Sequence, residues 1–125
     1  MILCTTVDDE GFLEVFSKAS RLVLVDTNIG VIYEEPNPAL GSAERRPTVV
    51  RRCIELGAHV VVAPHGSICY PSYRVLKARG VKAYSVDRGI SLGQLLSRKV
   101  ALREVNLGEV AYSTIMAALE RVVGH

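Results

Sequence analysis

The pair most able to do coordination chemistry is His65 and Cys69, four residues apart. A neutral imidazole and a thiolate are both good ligands for iron or zinc. Cys69 stands just ahead of a helical pattern, and the free N–H groups of a helix start favour an anion such as a thiolate. Between the two, Gly66 and Ser67 offer backbone N–H groups ahead of the same helix, a short anion nest. Two ligands do not complete a metal site, so a bound metal or cluster would need others from a partner subunit or from exogenous thiols. The alternative reading is that Cys69 packs as a small hydrophobe and His65 is a turn residue. A second group is cationic: Arg45 and Arg46, then Arg51 and Arg52. It reads either as a clamp for a cofactor's carboxylates, a phosphate or RNA, or as a solvated helix face.

The remaining reactive residues suggest less. Cys4, in an apolar run, and Cys53, on a helical apolar stripe, read as inert core thiols. Three cysteines cannot all pair within one chain, and none lies in a C-x-x-C spacing, so a reduced, intracellular and cytoplasmic protein is expected. His59 falls at the wrong end of its strand to join His65, and His125 is the last residue. A two-metal nuclease needs converging carboxylates, normally starting in the first strand. Residues 2–7 hold none, and Asp8, Asp9 and Glu10 fall in the turn that follows. Ser67 lacks the nucleophile-elbow motif, so a hydrolase triad does not assemble either.

These residues must be positioned by the elements around them. Ile2–Val7, Arg21–Asp26 and Gly30–Glu34 read as strands, the last two joined by the turn Thr27-Asn28-Ile29. Pro36, Pro38 and Gly41 make a loop. A helix starts near Pro47 and ends at Gly57, burying Val49, Val50, Cys53 and Ile54. His59–Ala63 is nearly all apolar, as a central parallel strand requires. A helix from Cys69 or Pro71 to Arg79, capped by Gly80, leads to a strand over Val81–Val86. Ser91 and Gln94 form a capping-box pattern for a third helix. Asn106 to Glu109 repeats that logic for a fourth, over about 107–123, with Ala111, Ile115, Ala118, Leu119 and Val122 on one face. This order gives an α/β fold: a mixed five-stranded sheet, order 3-2-1-4-5, with helices on both faces. The chain switches direction between strands one and four, where open α/β sheets bind ligands. His65 to Ser67 lies at that point.

Composition bounds the class. With 49% hydrophobic and 22% charged residues, the chain is globular rather than disordered. Its 125 residues suit a single domain, 1–125. A net charge of +2 is too balanced to indicate nucleic-acid binding. No apolar run approaches the roughly 20 residues of a membrane span. The start, MILCTTVDDEGF, has no basic segment before an apolar one, so no signal peptide is expected. Only Asn28, Asn37, Asn106 and Gln94 carry side-chain amides, which leans toward a thermophilic source.

Two stretches carry a family resemblance. Phe16-Ser17-Lys18-Ala19, RLVLVD, a hairpin and EPNP form the first. VVVAPHGSICYPSYRVLKARGVKAY, with its strand, turn, helix ending in Leu-Lys-x-x-Gly and next strand, forms the second. Together they resemble the nitrogenase iron–molybdenum-cofactor biosynthesis family, of the NifX and NifB C-terminal type. The resemblance covers residues 1–100 and leaves the last helix outside. Cys69 stands where that family usually has Gly. The resemblance implies a ribonuclease-H-like sheet and a small non-enzymatic protein carrying an iron–sulfur or iron–molybdenum-type cluster. It would exchange the cluster with a donor or acceptor protein. On this reading the binding residues are His65, Gly66, Ser67, Cys69, Arg45 and Arg46, with His65 and Cys69 as metal ligands. The alternative is a protein-interaction or regulatory module without a cofactor. The fourth helix is expected to pack back across the sheet or to pair with a symmetry mate as a homodimer.

Overall fold

The structure is a computed structural model that describes residues 1–97 and 100–123; His125 lies outside the described residues. The elements are β1 (Ile2–Val7), β2 (Arg21–Asp26), β3 (Gly30–Pro36), a 3-10 turn (Pro38–Gly41), α1 (Arg45–Glu55), β4 (Val60–Pro64), α2 (Tyr70–Arg79), β5 (Lys82–Val86), α3 (Leu92–Leu96), β6 (Arg103–Glu104) and α4 (Leu107–Val123). They build one mixed sheet in the order β3-β2-β1-β4-β5-β6. The sheet has six strands rather than the expected five. The addition, β6, is two exposed residues that pair antiparallel with β5, opposite Tyr84 and Ser85. Such a strand carries no apolar alternation, so no hydrophobic pattern announces it.

Alternation along β1, β2 and β4 fills two cores. Cys4, Leu22, Leu24, Val61 and Ala63 face one side and pack with Val49, Val50 and Cys53 of α1, Leu76 of α2 and Val110 of α4. Leu3, Val7, Val23, Val25, Val60 and Val62 face the other, against Leu13, Val86 and Leu95 of α3. A two-residue period divides the strand residues between the faces in this way. β1 pairs antiparallel with β2 and parallel with β4, so the chain turns away in opposite directions at the ends of β1 and β4. Among the described residues no helix is long and apolar enough to cross a membrane.

Two expectations need correction. Cys4 and Cys53 are buried, but they are not separate thiols, and the chain is not fully reduced as expected. They form a disulfide that ties β1 to α1, with Cα atoms 5.6 Å apart, and Cys69 is the free cysteine. Residues 49 apart in sequence are brought together only by docking of the helix on the sheet. The second correction concerns α4. It packs back onto α2, but not through its apolar stripe. Among its described side chains Val110, Ser113 and Glu120 are buried, whereas Ile115, Leu119 and Val122 stay 60%, 50% and 82% exposed.

Candidate functional site

The turn after β4 is held from several sides. The His65 N–H donates to Val86 O at 2.8 Å, and the Ser67 N–H closes the turn on Pro64 O at 3.1 Å. Gly66 has φ +92°, a conformation open to glycine and strained for other residues. A Cβ there would also stand 2.9 Å from Arg88 Nη2 and 3.3 Å from Tyr112 Cε1. Arg88 Nε donates to His65 O and Arg46 Nε to Gly66 O, at 3.0 and 2.8 Å. Ser67 is fully buried, and its Oγ accepts from the Phe16 N–H at 3.1 Å. Ser67 therefore braces the turn against the segment between β1 and β2.

The anion nest expected at Gly66 receives an anion from the chain itself. Glu109, in the first turn of α4, points its carboxylate into the turn. Oε1 accepts from the Gly66 N–H at 3.1 Å and from Ser85 Oγ at 3.0 Å. Oε2 lies 2.8 Å from His65 Nδ1. Asn106 Oδ1 accepts from the Glu109 N–H at 2.9 Å and so fixes the helix start that aims this side chain. The His65 ring stacks on Tyr112, with centroids 4.2 Å apart and planes at 19°. Yet His65 keeps 47% of its side chain exposed while Glu109 keeps 8%. With its Nδ1 proton directed at a buried carboxylate, a neutral His65 presents Nε2 as a lone-pair donor.

The arginines divide. Arg46 is buried, and besides Gly66 O it grips Glu120 through both Nη atoms, at 2.7 and 3.0 Å. Burial pushes the Glu120 carboxyl up, but the hydrogen bonds and charge of Arg46 outweigh it and hold the group below its ordinary value. Arg45 donates from Nη1 to Ser17 O at 3.1 Å and stays partly exposed. Arg52 pairs with Glu35 and Arg51 with Glu44. Of the expected clamp, Arg46 is thus turned inward as the anchor of α4.

Cys69 is the N-cap residue of α2, only 5% exposed, with Sγ 3.3 Å from Ser72 Oγ. It lines a cavity of about 460 Å³ between the starts of α1 and α2 and the side of α4, together with Arg45, Pro71, Thr114, Ala117 and Arg121. His65 is not part of that wall. Among the described residues no three or more His, Cys, Asp or Glu side chains converge to hold a metal ion.

Glu109, Tyr112, Ser85, Arg88 and Glu120 complete this region, and sequence reasoning missed them. One signal was present. Glu109, Val110, Ser113, Ala117 and Glu120 recur along one side of α4, so both carboxylates face the same way. Hydrophobic patterning instead favours the opposite side of the helix.

No family model matches the sequence, and no curated protein does. Solved structures do resemble the fold. An NMR structure of a Thermotoga protein described as a putative NifB protein of the DUF35 family superposes with a TM-score of 0.61 at 20% identity, covering 82% of this chain and 91% of that one. The apo form of the orange protein from Desulfovibrio gigas gives a TM-score of 0.64 at 15% identity, covering 84% of this chain and 96% of that one. At such identities the likeness is one of fold.

Proposed function

We propose that this chain is a small non-catalytic binding protein that takes up a preassembled iron–sulfur or iron–molybdenum-type cluster as cargo, with His65 as the exposed attachment point. The observation that carries this reading is the His65–Glu109 pair. A buried carboxylate orients a half-exposed imidazole, the arrangement that makes histidine a well-directed metal ligand. With no three-ligand group among the described residues, the cargo must arrive with most of its own ligands, such as exogenous thiols. The likeness in fold to the Thermotoga protein described as a putative NifB protein, and to the orange protein, supports the same class of role. In this reading the fold keeps the ribonuclease-H-like ancestry of the cofactor family. The exchange partner is a cluster donor or acceptor protein. Cys69 is the second donor, and because it is buried the first turn of α2 must open for it to ligate. Arg45 contributes at longer range, through its charge.

The test is anaerobic titration of the protein with a synthetic thiolate-capped iron–sulfur cluster, read by charge-transfer absorption. His65→Ala should weaken uptake most. Glu109→Gln, which leaves the imidazole in place but loosens its orientation, should cost roughly 10- to 100-fold in affinity. Cys69→Ser reports whether the thiol joins. Uptake by His65→Ala equal to that of the wild type would overturn the proposal.

A further inference from the structure

The outward face of α4 is apolar and has no cover among the described residues. Ala111, Ile115, Ala118 and Val122 follow one another at steps of four, three and four, with Leu119 beside them. All of these are exposed, and the stripe carries no charged side chain. Four–three spacing is the repeat of a two-helix seam. We infer that this face is a self-association surface on which α4 of a second copy of this chain lies antiparallel.

The order of side-chain sizes selects both the partner and its direction. Large residues, Ile115 and Val122, alternate with small ones, Ala111 and Ala118. An antiparallel two-fold pair centred between residues 116 and 117 sets Ile115 against the partner copy's Ala118, and Val122 against its Ala111. Every layer then joins one large and one small residue, the complementarity a packed seam requires. A parallel pair would set Ile115 on Ile115 and Ala118 on Ala118, crowding one layer and leaving the next empty. On the flanks the antiparallel pair brings Tyr112 near the partner's Leu119 and Thr114 near its Arg121, with no like charges opposed. Because Tyr112 stacks on His65, the partner copy would also border the ring that the site uses.

The area sets the strength. The large residues of the stripe, Ile115, Leu119 and Val122, expose on the order of 100 Å² of apolar surface each. Two copies together would bury roughly 600 Å² through these residues, the size of a weak, transient contact rather than of a stable dimer. A weak, reversible dimer is expected from a seam of that size.

Sedimentation velocity of the full chain, from low micromolar to near-millimolar concentration, tests this. A reversible monomer–dimer transition is expected, and Ile115→Glu should weaken it at least about tenfold. Ile115 is exposed, so circular dichroism of that variant should show an unchanged fold. Direction is read by oxidative cross-linking in a Cys69→Ser background. A mixture of Ile115→Cys and Ala118→Cys chains should cross-link several-fold faster than either alone. A monomer at every concentration, a dimer indifferent to Ile115→Glu, or faster cross-linking by a single variant would each overturn the inference.

Discussion

Removing the carboxylate of Glu120 tests whether Arg46 is an internal anchor or a cationic arm for ligand. The Arg46 side chain is 2% exposed, and its guanidinium spends one N–H on Gly66 O and two on Glu120. In Glu120→Ala the guanidinium stays buried with one carbonyl among these acceptors. Breaking a buried pair from one side costs about 3–5 kcal/mol. For a domain of this size each kcal/mol lowers Tm by about 3–5 °C, so a fall of about 9–25 °C is expected. Arg46→Ala should cost a similar amount, because it leaves a buried carboxylate. Arg46→Met with Glu120→Leu should recover most of the loss, since an apolar pair of similar volume is often neutral or stabilising. The pair also has a pH signature. The folded pKa of Glu120 is lowered, so its contribution is fully present above the ordinary value of 4.5 and is lost as pH falls below it, through the depressed value. Urea unfolding followed by circular dichroism, at pH 7 and in steps below pH 4.5, measures both. A Glu120→Ala loss under about 1 kcal/mol, or single losses that simply add in the double variant, would refute the reasoning.

Other outcomes follow from single features. The denatured, unreduced protein should show one titratable thiol, Cys69, and reduction should release Cys4 and Cys53. Reduction should also lower stability by up to about 4 kcal/mol, the chain-entropy value for a loop of this length, measured by urea midpoint with and without reductant. Gly66→Ala should destabilise by about 1–3 kcal/mol through its positive φ, and should displace Tyr112 from His65, visible in the imidazole NMR shifts. Asn37→Ala should cost about 2–4 kcal/mol in thermal unfolding. It removes the bonds from Nδ2 to Phe16 O and Ala19 O and the one from the Ala39 N–H to Oδ1, all buried.

Local chemistry made much of the scaffold legible. Apolar or alternating stretches between turn residues marked the five longer strands, and Asn28 marked the turn between β2 and β3. Gly80, at φ +66°, ends α2 as its position suggests. Ser91 and Gln94 form the reciprocal capping box their spacing predicts. Each of these depends on residues close in sequence, whose energies are settled before any layer docks. His65, Gly66 and Ser67 were placed at the switch point because topology follows from element order.

Tertiary structure decided the rest. Cys4 and Cys53 became partners only when α1 docked over β1. β6 exists because β5 has an edge to pair, not because Arg103 and Glu104 favour a strand. The face of α4 was settled by what lies beneath it: a turn with a free amide and a ring nitrogen, and beside it a buried guanidinium. Two carboxylates, each making several short bonds in a water-poor site, hold the polar side of the helix there. Amphipathicity ranks faces by transfer from water and takes no account of such partners. That is why the pattern offered the apolar stripe either to the sheet or to a second copy, while the folded chain turns it to the outside.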